Sequence, residues 1–406
     1  MIVRSRLVVP MEGPPISDGA VVVEGKKITD VGRFEEVNLR HTGDVLDLGE
    51  QVLLPGLINA HCHLDYTTLR GKIPPQESFA EWIRAINAQK AALSKTDYLN
   101  SIAAGLAEAE SFGTTSMLNL EAFPSLLMEV PRPSLRIWWC AEMIDLRQPV
   151  DVKEVADNLR RWFDAHPDWL GGFGLSPHAP YTASPQLYSE TSKIGEQHDV
   201  PLSTHLAESI EELQAFRDAS GPLFDFLKSI DHPLENAGRE TSLSFLMRNG
   251  VAGPRWIIAH LNELDAGDFD LLRDATKFHI AHCPRSHTFF RHAPFAYRRL
   301  QTLGFNICVG TDSLASNTSL SLLAELRELM RKEPWLSPEE ALATITVNAA
   351  AALGRASSLG RIRAGFLADL IALPIAPPEI DVFESVVAFE HTVPWIMVNG
   401  TVIRAD

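Results

Sequence analysis

The stretch VLLPGLINAHCHLD, from Val52 to Asp65, contains the pattern on which the fold of this chain depends. It starts as a β-rich apolar run and ends in polar residues, with His61 and His63 two positions apart. Because side chains alternate along a strand, both imidazoles point to the same side of it. Two neutral imidazoles on one side of a strand can hold a divalent metal, whereas leaving both unpaired in a packed interior is costly.

Seven further apolar runs follow along the chain, each of which stops at a polar residue. They are GTTSMLNL, LRIWWCAEM, GGFGLSPH, VPLSTH, RWIIAH, KFHIAH and FNICVGTD, beginning near Gly113, Leu135, Gly171, Val200, Arg255, Lys277 and Phe305. Stretches with apolar residues at helical spacing, such as ESFAEWIRAINAQKAALS, lie between the runs. Alternating strands and helices indicate an α/β fold with a parallel sheet, and eight repeats predict a (β/α)₈ TIM-type barrel. The alternative, an open doubly wound sheet, usually has a GxGxxG turn after its first strand, and this chain has none there.

Both ends of the chain differ from the middle in pattern. The segment AVVVEGKKITDVG turns at Glu24-Gly25-Lys26, and WIMVNGTVI turns at Asn399-Gly400, a pair typical of a type I′ hairpin. We therefore predict that residues 1–54 and 355–406 form one composite module, a small β-sandwich. This module would flank a barrel made of residues 55–354.

The composition narrows the function classes open to this chain of 406 residues. Its net charge is -16, which disfavours nucleic acid and anionic membranes as partners, and no apolar run reaches the ~18 residues of a membrane span. The four cysteines show no CxxC spacing, and the first ten residues contain no apolar core of a signal peptide. We expect a cytoplasmic protein that acts on a small molecule, with homo-oligomerisation left open.

Polar side chains also end the later runs, where catalytic groups of such barrels are found. They are His178 in SPHAPYT, His205 and Glu208 in THLAES, His260 in IIAHLN, and Asp312 in VGTDSLASN. A structural role would be the more common one for any of these histidines alone. Taken together with His61 and His63, they predict one site at the carboxyl ends of the strands.

The motifs PGLINAHCHLD, SPHAPYT, STHLAES, AHL and GTDSLASN, in this order and spacing, resemble the amidohydrolase superfamily, specifically its deaminase and chlorohydrolase branch. The resemblance covers the whole chain, since GRIRAGFLADLIAL is similar to the family's return into its terminal β module. It implies one divalent metal ion, zinc or iron. The implied metal ligands are His61, His63, His205 and Asp312.

The resemblance also implies the catalytic residues. Glu208 matches the acid/base that moves protons, and His260 matches the histidine that orients the attacking water. Asp312 is implied to be a catalytic residue as well as a metal ligand. A bound metal lowers the pKa of water from ~15.7 towards ~7, which makes a nucleophile available at neutral pH. Binuclear relatives bridge their metals through a Lys or Glu on strand four, and GGFGLSPHAPYT contains neither. We therefore predict one metal, with His178 not among its ligands.

The reaction that the resemblance implies is hydrolytic deamination of an aromatic amine with release of ammonia. SPHAPYT and HCPRS are most similar to deaminases of adenosine-type nucleosides, such as S-adenosylhomocysteine, methylthioadenosine or aminofutalosine. The close alternative is a deaminase of guanine, a pterin or cytosine, or a triazine (chloro)hydrolase. A more distant alternative is a non-catalytic binding protein on the same barrel.

Four residues are candidates for substrate binding. In the relatives the histidine matching His178 reaches the substrate, and Trp82 could form an aromatic wall for a purine. Arg285 has a planar guanidinium that suits a substrate carboxylate, and Ser286 lies next to it in HCPRS. The competing roles are a core position for Trp82 and a surface ion pair for Arg285.

Overall fold

The computed structural model describes residues 1–232, 234, 237–251, 253–377 and 379–405. These residues form two β-sheets surrounded by helices. In chain order the strands are β1 (Ile2–Val8), β2 (Ile16–Glu24), β3 (Lys27–Arg33), β4 (Val45–Asp47), β5 (Gln51–Pro55), β6 (Leu57–His63), β7 (Thr114–Glu121), β8 (Arg136–Met143), β9 (Gly171–Pro177), β10 (Leu202–Leu206), β11 (Trp256–His260), β12 (His279–His282), β13 (Asn306–Val309), β14 (Asp312–Ser313), β15 (Leu370–Pro374), β16 (Trp395–Val398) and β17 (Thr401–Ala405).

The larger sheet is parallel and contains a strand from each of the eight predicted runs. Its order is β13-β12-β11-β10-β9-β8-β7-β6-β14. The eighth run contributes twice, because β13 pairs with β12 while β14 pairs with β6 through Asp312 opposite Cys62. The sheet therefore curls until the end of the eighth run lies against the first strand. This curl brings the carboxyl ends of β6 and of distant strands to one place.

Helices lie between most strands of the larger sheet, as the alternating pattern predicts, and the remaining helices precede β6 or follow β14. They are α1 (Phe34–Arg40), α2 (Phe79–Ala91), α3 (Lys95–Ser111), α4 (Val152–Ala165), α5 (Pro185–His198), α6 (Ile210–Asp218), α7 (Pro222–Ser229), α8 (Ser242–Arg248), α9 (Ala266–Asp274), α10 (Pro284–Phe290), α11 (Tyr297–Thr302), α12 (Leu322–Lys332), α13 (Pro338–Thr344), α14 (Val347–Ala352) and α15 (Val382–Ala388). Side-chain caps begin many of them; Ser94 and Asp97, for example, form a capping box at α3. Within the described residues, no helix combines the length and the hydropathy that crossing a membrane requires.

The smaller sheet is built from both ends of the chain. Its order is β17-β16-β15-β5-β1-β2-β3, with β4 paired to β1. Asn399 and Gly400 have φ of 53° and 78°, as a type I′ turn requires between β16 and β17. The strand pairings join the two termini in a single sheet, so the sandwich arrangement of this region remains a prediction.

The first apolar run is not one strand, which corrects the sequence-based expectation. Its first part, β5, pairs with β1 and β15 in the smaller sheet, and only β6 pairs with β7 in the larger one. Gly56 separates the two parts, and a Cβ there would overlap the side chain of Thr115. The N–H of Gly56 donates to the carbonyl of Asp369 at 2.8 Å. The chain can change sheets here because glycine allows the close approach.

A buried ion pair links the two sheets. Arg136 in β8 donates to both carboxylate oxygens of Asp369, at 3.0 and 3.2 Å, and also contacts the side-chain oxygen of Asn399 at 3.3 Å. Asp369 in turn accepts the backbone N–H of Asn399 at 2.7 Å, so it holds the last hairpin as well. Both charged side chains are buried. Bidentate geometry of this kind is among the stronger charge-assisted contacts.

Replacing Arg136 by methionine is expected to lower the free energy of unfolding by about 3 kcal/mol, because it leaves the carboxylate of Asp369 buried without its counter-charge. Urea denaturation would measure the change. The matched control is Arg132→Met, which breaks an exposed pair with Asp168 at 3.0 Å. That change should cost less than about 1 kcal/mol. Equal losses in the two variants would contradict the role assigned to the buried pair.

Candidate active site

Buried donor groups from four strands meet at the carboxyl ends of the larger sheet. His61 and His63 come from β6, His205 from β10, His260 from β11 and Asp312 from β14. One ligand atom from each of His61, His63 and His205 lies within 4.8 Å of the other two, and the same holds for His61, His260 and Asp312. The structure thus brings together residues that are up to 251 positions apart in the chain.

The arrangement of these donors fits a divalent metal. The Nε2 atoms of His63 and His205 face each other at 3.2 Å, and Asp312 Oδ1 lies 3.7 Å from Nε2 of His61 and 3.8 Å from Nε2 of His63. Both ring nitrogens of His61 are buried without a hydrogen-bond partner among the described residues. Buried polar atoms without partners are costly, and a cation would satisfy the ring nitrogen that faces it. Imidazole nitrogens with one carboxylate form a donor set that suits zinc.

The environment keeps these groups in the protonation states that bind metal. Burial lowers the pKa of His63 well below its ordinary value and lowers the pKa of His205 to about 3, so both rings are neutral at pH 7. Burial opposes ionisation of Asp312, but His61, with His260 and His63, holds the pKa of this carboxyl well below its usual range. Neutral imidazoles and an ionised carboxylate are the forms that ligate a divalent cation.

Neighbouring groups orient two of the donors. The Nδ1 of His205 lies 2.8 Å from the carbonyl of His178, which directs its Nε2 towards His63. Asp312 has φ of 56°, in the left-handed region, and its Oδ2 accepts from Ser286 at 2.6 Å. Ser286 therefore orients the carboxylate of Asp312 through this hydrogen bond. It is not among the residues that line the cavity.

Glu208 lies beside the donor cluster, three residues after His205. Its Oε1 is 3.7 Å from Nε2 of His260, and burial, reinforced by the charge of Asp312, raises the pKa of its carboxyl well above the ordinary value. Its backbone is held by Glu212, which accepts the N–H of Glu208 at 2.9 Å. Glu212 follows four residues later at the start of α6, a spacing that could have indicated this support from the sequence.

A cavity opens in front of this cluster. Helices α2 and α7 both contribute to its lining, α2 through a single face. The wall residues from these two helices are Phe79, Trp82, Ile83, Ile86, Asn87 and Lys90 on α2, and Phe226, Leu227 and Ile230 on and next to α7. His63, His178, His205, Glu208, His260 and Asp312 complete the lining together with Glu142. Trp82 and His178 are thus placed where a bound molecule would contact them.

Arg285, like Ser286, is a predicted substrate-binding residue that does not line the cavity. Its guanidinium donates to the hydroxyl of Ser319 at 2.8 Å and to that of Thr318, while its backbone N–H donates to Glu325. The helix α10 starts at Pro284 and carries Arg285 towards these partners. Lys90 and Glu142 line the cavity instead. Lys90 lies eight residues after Trp82 on the same helical face, which is the signal that could have identified it.

The family model for the amidohydrolase family matches residues 52–403. This chain therefore belongs to the amidohydrolase family, which confirms the resemblance seen in its motifs.

Individual relatives are similar over nearly the whole chain. The 5-methylthioadenosine/S-adenosylhomocysteine deaminase of Pyrococcus furiosus is 29% identical over 397 residues, covering 94% of this chain and 88% of the relative. Helicobacter pylori aminofutalosine deaminase, solved in complex with methylthio-coformycin, superposes with a TM-score of 0.85 at 19% identity and covers 99% of both chains. Atrazine chlorohydrolase from Arthrobacter aurescens, solved with zinc, gives 0.82 at 20% identity, covering 100% of this chain and 95% of that one. The structural likenesses show a shared fold.

Proposed function

We propose that this chain is an enzyme that hydrolyses the exocyclic C–N bond of an adenosine-type nucleoside and releases ammonia. The observation that carries the proposal is the position of Glu208, buried beside His260 and next to the convergent donor cluster. A carboxyl group whose pKa is raised by burial is suited to both accept and donate a proton during one turnover. The names of the sequence relatives support the nucleoside class of substrate.

The proposed ligands of one divalent metal, zinc with iron as the alternative, are His61, His63, His205 and Asp312. When bound, the metal supplies Lewis-acid chemistry that lowers the pKa of water from ~15.7 towards ~7. Glu142, His178 and His205 form another group of possible ligands. Because Nδ1 of His205 is engaged by a backbone carbonyl, only its Nε2 is left, and this atom faces His63. These contacts favour one ion over two.

The chain's own residues then act in sequence on water and substrate. Glu208 takes a proton from the attacking water and delivers it to the ring nitrogen beside the amine-bearing carbon. His260 holds the water in line with that carbon. The water oxygen bonds to the carbon as a hydroxyl. The proton left on this hydroxyl passes to the amine as the C–N bond breaks, so that ammonia leaves and the oxygen remains as the C=O of a lactam whose ring nitrogen carries the first proton.

The cavity walls suit a planar purine. Trp82 offers an aromatic face, and stacked or edge contacts of such rings contribute about 0.5–1.5 kcal/mol beyond area burial. The Nδ1 of His178 lies 2.6 Å from the hydroxyl of Thr182, which leaves its other ring nitrogen for a bound molecule. We propose that Trp82 and His178 contact the purine base and the side of the base that carries the sugar.

We also propose that residues 55–354 form a (β/α)₈ barrel, with residues 1–54 and 355–406 as the composite terminal module. The pairing of β14 with β6 supports closure of the sheet. A cytoplasmic location is part of the proposal, and it is supported by four buried cysteines that are all free, as a reducing compartment favours.

A substrate screen tests the proposal. The zinc-loaded protein would be assayed for ammonia or chloride release from adenosine-type nucleosides, free purine bases, pterins, cytosine and triazines. We expect ammonia from the nucleosides, with kcat/KM at least tenfold above that of any other class. The fold shared with atrazine chlorohydrolase makes triazine hydrolysis the second candidate. Chloride release from a chlorotriazine, without ammonia from nucleosides, would replace the proposed function with that one.

A further inference from the structure

The cavity-facing side of α2 is mostly apolar and ends in a cation. Counted from Phe79, its members fall at positions i, i+3, i+4, i+7, i+8 and i+11, so they share one face of the helix. They are Phe79, Trp82, Ile83, Ile86, Asn87 and Lys90. Phe226 and Ile230, on and next to α7, line the same cavity. An elongated apolar group bound along this face of α2 could therefore end at the ammonium of Lys90.

Lys90 is held in place by an aromatic ring. Its Nζ lies 4.7 Å from the centroid of the Tyr66 ring, and Tyr66 stacks on His63 with centroids 5.9 Å apart. Among the described residues, no carboxylate oxygen lies within 4.0 Å of this Nζ and no side-chain hydrogen bond engages it. The three ammonium donors of Lys90 are thus available to a molecule in the cavity.

Two carboxyl groups on this side of the cavity suggest another role for Lys90. Asp65 is buried and interacts electrostatically with both Glu142 and Lys90. Lys90 could therefore act only as their counter-charge. In that role the loss of its charge would affect every substrate alike, whereas a direct contact would affect only substrates that carry an anion.

We propose that Lys90 binds a carboxylate at the end of an apolar or aromatic 5′ substituent of the nucleoside, and that it makes the enzyme selective for such acids. This inference rests on the proposed function and names the substrate class within it. Burial against the apolar side chains of this face favours the apolar substituent, and the partly desolvated ammonium adds a charge-assisted contact that a neutral substituent lacks. Arg285, the other candidate for this role, already donates to Ser319 and Thr318.

A matched pair of substrates tests the inference. They are 5′-S-(4-carboxybenzyl)-5′-thioadenosine and its methyl ester, which differ in charge at the end of the same substituent. Lys90→Met should lower kcat/KM for the acid by about 10- to 100-fold, through KM with little change in kcat, and for the ester by less than about threefold. Lys90→Arg keeps the charge and should keep the preference. The control Lys95→Met removes a cation that pairs with Glu129 outside the cavity lining, and should change neither substrate.

Calorimetric binding of the same two compounds separates failure of this inference from failure of the proposed function. The measurement uses the zinc-loaded Glu208→Gln protein, with and without Lys90→Met, after melting curves have established that both are folded. Absence of ammonia release by the unmodified protein from these two compounds and from every nucleoside of the screen would refute the proposed function. Tighter binding of the acid, lost in Lys90→Met, would still support the role of Lys90. Equal losses on acid and ester, in turnover or in binding, would overturn it and leave Lys90 as a counter-charge.

Discussion

Glu208→Gln is expected to lose turnover by about 10²–10⁴-fold while retaining its metal, since a general acid/base commonly contributes a factor of that size. Glutamine has nearly the same shape but can neither take the proton from water nor deliver it to the ring nitrogen. Because Glu208 is not among the proposed metal ligands, the donor cluster should remain intact. Steady-state kinetics on the nucleoside found in the screen, together with elemental analysis, would measure both properties.

The control for this variant is Glu196→Gln, a change of the same type at an exposed position of α5. It should leave turnover unchanged. Near-normal turnover in Glu208→Gln would remove the acid/base role from this residue. Loss of metal together with turnover would instead place Glu208 in the metal site.

Removal of the metal by a chelator is expected to reduce turnover to background, with recovery on addition of one equivalent of zinc per chain. The buried ring nitrogens of His61 have no hydrogen-bond partner among the described residues, so the apo protein, which lacks the cation at one of them, should also be less stable. A ligand present at about 1,000 times its Kd stabilises the folded state by about 4.1 kcal/mol, and this increment is lost on chelation. Elemental analysis and melting curves of the apo and zinc-loaded protein would measure the stoichiometry and the change in stability.

Two variants check that the effect belongs to the donor cluster. His205→Ala should lose both metal and turnover, whereas His391→Ala, at an exposed position, should keep both. Two tightly held ions per chain would contradict the one-metal proposal and point to Glu142 and His178 as further ligands. Turnover that survives complete chelation would exclude the metal from the reaction.

Local patterns in the sequence accounted for much of the fold. Each of the eight apolar runs contains a strand of the larger sheet, because the alternation of strands and helices is encoded in short stretches of sequence. The hairpin at Asn399-Gly400 was equally predictable, since only a few residue pairs adopt positive φ in succession. The change of sheet at Gly56 was not, because it depends on the approach of Thr115 from a strand distant in sequence.

The same division applies to the site. His61 and His63 could be paired from the sequence alone, because residues two apart on a strand share a side. The sequence could also place His205, His260 and Asp312 at strand ends, and the curl of the sheet brings those ends together.

Which residues face the cavity was decided by the tertiary structure. Arg285 and Ser286 follow a strand end closely in sequence, yet the packing of α10 directs them to Ser319 and to the back of Asp312. Lys90 carries no motif, but the packing of α2 over the strand ends places it in the cavity wall. The sequence determined the spacing of donors within each strand, because backbone geometry sets that periodicity locally. Contacts between strand ends and helices depend on packing among distant segments, which only the folded chain defines.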